Sequence, residues 1–128
     1  MKISVPTETA PREQRVALAP DSVARLVKQL KLEIVVQRGA GLRAGFRDDA
    51  YQAAGATVVA DANAAYAAAP LIAKVQPPDA QEIPKIAEGS TLISLMRPGQ
   101  AADVLQALAN RRVSALALEL VPRITRAQ

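Results

Sequence analysis

A chain of 128 residues, half of them hydrophobic, falls within the size of one domain and can bury a core of its own. A formal charge of +4 raises nucleic acid as a partner, but the basic residues are dispersed, and Phe46, Tyr51 and Tyr66 are the only rings that could stack on bases. Cysteine and histidine are both absent, which excludes disulfides, thiolate metal sites and every Ser-His-Asp or Cys-His arrangement, and would leave a zinc ion to carboxylates alone. Neither nucleic acid nor metal is therefore expected. No apolar run approaches the roughly 18 to 20 residues that span a bilayer, and MKISVPTE lacks the apolar stretch of an export signal. The expectation is a soluble, unexported single domain over 1–128.

In chain order, residues 2–6 and 32–37 read as strands, the second through the β-branched Ile34, Val35 and Val36. Between them Asp21 or Ser22 can cap a helix running to Leu30, with Val23, Leu26, Val27 and Leu30 on one face. A helix over 48–54 ended by Gly55, a strand over 57–59, an Ala-rich helix over 62–69 and a strand over 71–75 follow. The Pro77-Pro78 break leads to a short helix ending near Ala87, which Pro84 should shorten or distort. A strand over 91–96, a helix over 100–110 and a strand over 113–120 complete the series. Strands rich in Val, Ile and Leu without strict alternation predict a doubly wound α/β fold, flavodoxin-like or Rossmann-like, whose mainly parallel sheet carries helices on both faces.

Three constellations invite a chemical reading. Gly39-Ala40-Gly41-Leu42-Arg43-Ala44-Gly45 imitates a dinucleotide phosphate loop, but such a loop must open a helix within its glycines, and here Phe46 intervenes and Asp48-Asp49 lead the next helix. A tight turn is the expectation. Lys74, flanked by Leu71, Ile72, Ala73 and Val75, must either snorkel to solvent at the strand end or find an anion, and with Arg15 it falls in the carboxyl-end region where parallel sheets bind ligands. Arg123 and Arg126, beside Thr125 and Gln128, could clamp a phosphate or carboxylate, or form a solvated tail.

VPTETAPREQRVALAP near the start, GAGLRAGFRDDAYQAAGA in the middle, KVQPP at 74–78 and VPRITRAQ at the end together resemble the α subunits of proton-translocating NAD(P) transhydrogenases, in the right order and spacing along essentially the whole chain. The fold is shared more distantly by alanine and saccharopine dehydrogenases. The resemblance implies an extramembranous component of two α/β subdomains, of which this chain is the first, with the Rossmann unit that holds NAD(H) lying beyond it. NADP(H) would sit on another component, and hydride transfer would be coupled to proton movement through a membrane component. The chain would then lie on the cytoplasmic or organelle-matrix side, peripheral to that complex and inactive alone, with room for a homodimer in the complete protein.

In alanine dehydrogenases an arginine and a lysine at positions matching Arg15 and Lys74 hold the substrate carboxylate, while a histidine assists the chemistry. Arg97 stands in that histidine's place, and an arginine does not exchange protons near neutral pH. The resemblance assigns Arg123 and Gln128 to a loop that reaches the nicotinamide end of the bound nucleotide, and leaves Arg15 and Lys74 an anion-holding or structural role. Relatives usually place a glycine after the first helix, where this chain has Lys31, so that helix is expected to end less sharply. A stand-alone docking or assembly module and a fragment of an alanine dehydrogenase-like enzyme are the rival readings.

Overall fold

The computed structural model describes residues 1–95 and 101–117. Arg97, Arg123, Thr125, Arg126 and Gln128 lie outside the described residues, as do the far ends of the strands expected over 91–96 and 113–120. Six strands, β1 (Lys2–Val5), β2 (Glu33–Gln37), β3 (Thr57–Val59), β4 (Leu71–Ala73), β5 (Thr91–Ser94) and β6 (Ser114–Ala117), form one sheet in the order β3-β2-β1-β4-β5-β6. Every pairing is parallel, so the expected mainly parallel sheet is parallel throughout the described residues. Strand β1 sits at the centre, with Ile3 opposite Ile34 of β2 on one side and Leu71 of β4 on the other.

This order makes the chain wind outward from β1 to β3, then return past β1 to β4 and wind the other way. Right-handed crossovers then place the helices before that return on one face and those after it on the other. Helices α1 (Pro20–Leu30) and α2 (Asp48–Ala53) contribute Val23 and Tyr51 to one core, against Ile3, Val5, Ile34 and Val36. Helices α3 (Ala62–Ala67) and α4 (Ala101–Asn110) contribute Tyr66 and Leu108 to the other, against Ile72 and Leu92. Each face is built around one fully buried tyrosine. Their hydroxyls explain the burial, since each finds an acceptor: Leu18 carbonyl at 2.7 Å for Tyr51 and the Glu82 carboxylate at 3.0 Å for Tyr66.

Several local expectations are corrected. Neither Asp21 nor Ser22 caps α1; Pro20 opens it with its preset φ, after an extended Ala19 that offers no side-chain cap, and Asp21 lies in the first turn where a negative charge suits the helix dipole. The end of α1 is sharp despite the missing glycine, because Lys31 itself adopts the left-handed conformation (φ 57°) and turns the following N–H, that of Leu32, back onto the Leu26 carbonyl at 3.4 Å. A side chain there costs on the order of 1 kcal/mol, which the 26–32 bond offsets. Helix α3 stops at Ala67, two residues short of expectation, and Pro84 reduces the helix before Ala87 to a 3-10 turn at Ile83–Lys85. Strand β4 ends at Ala73 instead of 75, although Lys74 N–H still bonds the Ile93 carbonyl.

On the face that carries α1 and α2, the β4–β6 half has no helix among the described residues. Ala73, Ile93 and Leu116 stand in register across it, and Leu116 is 48% exposed. Among the described residues no helix is long and apolar enough to cross a membrane.

Candidate functional site

Strands β1 and β4 are neighbours whose connections depart to opposite faces, so a crevice opens beyond their carboxyl ends at the switch point of the sheet. Among the described residues two segments line it: the long loop from Pro6 to α1 and the stretch following Ala73. Lys74 lies here and does not snorkel. It is 2% exposed, and its Nζ donates to Glu8 Oε1 at 3.1 Å and to Glu82 Oε2 at 3.2 Å. Glu82 also accepts from the Tyr66 hydroxyl and, through Oε1, from Asp79 N–H at 3.0 Å. Burial first, and then the adjacent Glu82 charge, push the Tyr66 hydroxyl far above its ordinary range, so it remains a donor.

Arg15 occupies the outer rim, with its side chain 62% exposed. Its Nε and Nη2 grip the two oxygens of Glu13 at 3.0 and 2.9 Å, and its own N–H adds a third bond at 2.8 Å. The Gln76 side-chain amide donates to the same carboxylate at 2.6 Å. The bonded Arg15 guanidinium foremost, against the opposing effect of burial, holds the Glu13 carboxyl down at about 2. Arg15 and Lys74 both border a cavity of about 390 Å³ whose other walls, including Ile3, Leu18, Leu71 and Ile93, are apolar.

Three carboxylates, Glu8, Glu13 and Glu82, thus face two cations, and each cation already has a carboxylate partner. An incoming anion would have to displace one of them; at Lys74 that means competing with two buried acids. Among the described residues no group of three or more acidic side chains is arranged to hold a metal ion.

The glycine segment is a closed turn. Gly39 N–H donates to Asp48 Oδ1 at 2.8 Å, and the N–H groups of Ala40, Leu42, Ala44, Gly45 and Phe46 all bond carbonyls within 37–42. Those amides are spent internally, and α2 is a six-residue helix led by two acids, so no array of N–H groups faces a pyrophosphate. Gly41 serves close packing instead: a Cβ there would lie 2.6 Å from the Tyr51 ring.

Sequence reasoning found Arg15 and Lys74 and missed Glu8, Glu13, Gln76, Glu82 and Tyr66. A signal for the acids was present, because a lysine inside an apolar strand demands a carboxylate, and Glu8, Glu13, Asp79 and Glu82 all fall in the carboxyl-end connections of β1 and β4. Glu13 also supplies a pH test. Its folded pKa lies below the ordinary 4.5, so its contribution to stability is complete above that value and is lost as pH falls toward about 2. The melting-temperature gap between the parent chain and Glu13→Gln is therefore expected to be widest above 4.5 and to close toward 2, as followed by circular dichroism. A gap independent of pH would refute that assignment.

A family model for the alanine dehydrogenase/PNT N-terminal domain matches residues 4–128. NAD(P) transhydrogenase subunit alpha of Cereibacter sphaeroides is 42% identical over 128 residues, covering 100% of this chain and 24% of that protein. A transhydrogenase crystal structure from Sinorhizobium meliloti superimposes with a TM-score of 0.89 at 38% identity, over 100% of this chain and 38% of that one. An L-alanine dehydrogenase structure gives a TM-score of 0.90 at 32% identity, over 98% of this chain and 34% of that one. The chain therefore spans between about a quarter and two fifths of the length of these relatives.

Proposed function

From the premise that this chain belongs to the alanine dehydrogenase/transhydrogenase N-terminal domain family, we propose that it is the first subdomain of the NAD(H)-binding component of a proton-translocating NAD(P) transhydrogenase. In this reading a neighbouring Rossmann subdomain holds NAD(H), and this chain closes over it and orients the nicotinamide for hydride transfer to NADP⁺ on another component. The assembly would sit at the surface of a membrane component, with the chain on its cytoplasmic or matrix side. Arg123 and Gln128 would reach the nicotinamide end of the nucleotide. Arg15 and Lys74 would hold the crevice in shape and set its electrostatics. The chain by itself would be inactive.

The observation that carries this reading is the coverage of the entire chain by a transhydrogenase structure at 38% identity. The alanine dehydrogenase fold is as close in shape but lower in identity, at 32%. The absence of any histidine also removes the group that would exchange a proton with an amino-acid substrate near neutral pH. Lys74 lies between two acids, an arrangement suited to fixed geometry rather than to capture of a substrate carboxylate.

The division of labour is tested on the chain alone. With its glycine turn closed on itself, it should bind NADH only in the millimolar range or more weakly, through salt-screened attraction to phosphate. Titration calorimetry at physiological ionic strength measures this. One-to-one, salt-resistant binding at tens of micromolar would show that the nucleotide site lies in this chain, and the proposed partition would fall.

A further inference from the structure

Beyond the Ile3–Leu71 and Ser4–Ile72 pairs, β1 and β4 make no further ladder contact, and the segments that follow them are held together by a side chain. Glu8, 4% exposed on the loop after β1, spends both oxygens on the segment after β4. Oε2 accepts from Val75 N–H at 2.8 Å, and Oε1 accepts from Gln76 N–H and from Lys74 Nζ, both at 3.1 Å. Gln76, its backbone fixed this way, directs its side-chain amide onto Glu13, the carboxylate that grips Arg15.

We infer that Glu8 is a positioning residue of the crevice, fixing Lys74 directly and Arg15 at one remove through Gln76 and Glu13. A carboxylate suits this task because it accepts from three donors at once, charge-assisted throughout, where a neutral amide would present a donor to one of them. Lys74 retains Glu82 when Glu8 is neutralised, so the Glu8→Gln chain keeps one buried ion pair and should remain folded. The inference rests on the proposed function only for what the crevice meets; its test involves no nucleotide, so a failure of the NADH prediction leaves it standing.

The experiment is hydrogen exchange by ¹⁵N NMR on the 128-residue chain, reading the Val75 and Gln76 amides, the Arg15 Nε–H and, as a core reference, the Val36 amide. Glu8→Gln should speed exchange about tenfold or more at Val75 and Gln76, and at least about threefold at Arg15, leaving Val36 unchanged. Gln76→Ala, which cuts the link downstream of Glu8, should free Arg15 while Val75 stays protected. This second variant decides the matter even if Glu8→Gln fails to fold. Unchanged protection of Arg15 in either folded variant would overturn the inference. A uniform rise that includes Val36 would do the same, because it would mean lost stability and not lost position.

Discussion

Replacing Lys74 with alanine is expected to destabilise the chain by about 3–5 kcal/mol, because it strips the cation from two carboxylates that remain buried. Glu8 would keep its two amide donors, and Glu82 would keep the Tyr66 hydroxyl and Asp79 N–H, yet no positive charge would remain within the pair. Arg15→Ala makes the contrast. It removes an equally well-formed bidentate pair, but from a side chain that is mostly in solvent, and should cost no more than about 1 kcal/mol. Domains are stable by only about 5–15 kcal/mol in total, so the first substitution consumes a large share of what holds this chain folded. Urea unfolding of both variants provides the comparison. A Lys74→Ala loss below about 1 kcal/mol would mean that the buried trio is not a stabilising charge arrangement.

The second large effect concerns rate. In a chimera that carries this chain in place of the aligned 128 residues of the Cereibacter sphaeroides subunit, Arg123→Ala is expected to lower hydride transfer about a hundredfold. The NADH dissociation constant should change by less than about threefold. The asymmetry follows from the proposed partition: the Rossmann neighbour supplies most contacts to the dinucleotide, while the loop carrying Arg123 and Gln128 acts on the geometry of the nicotinamide. Stopped-flow transfer rates and equilibrium titration of the same protein separate the two quantities. A large loss of affinity with unchanged turnover would assign Arg123 to binding.

What was legible in the sequence follows from which interactions are local. The β-branched run Ile34–Val36, the terminating Gly55, the Pro77-Pro78 break and the helical spacing of Val23, Leu26, Val27 and Leu30 each report a preference of a few consecutive residues, and the element order followed from them. The glycine segment reads as a turn because Phe46 intervenes before a helix led by Asp48 and Asp49, and Asp48 is the residue that closes it. The strand order was less accessible, because the return from β3 to β4 is a choice of face and edge that no local pattern records. Lys31 in a left-handed conformation was unexpected since the tertiary setting, with β2 beginning two residues later, imposes an end that the side chain would not choose.

The crevice shows the same division. Lys74 stood out as a charge in an apolar strand, but its principal partner, Glu8, lies 66 residues away and is brought to it only by the β1–β4 pairing. Glu13 sits two residues from Arg15 and was open to reading, yet nothing in that spacing distinguishes a surface pair from one joined to Gln76, 63 residues on.

The central claim, that this chain is the first subdomain of a transhydrogenase nucleotide-binding component, is met most directly by the unmodified chimera, assembled with the other components of the Cereibacter sphaeroides enzyme and assayed for hydride transfer from NADH to NADP⁺. A rate within about tenfold of the parent is predicted, since tenfold corresponds to only about 1.4 kcal/mol of misplacement in the transition state. A chimera that folds, assembles and binds NADH normally but transfers hydride no faster than background would contradict it.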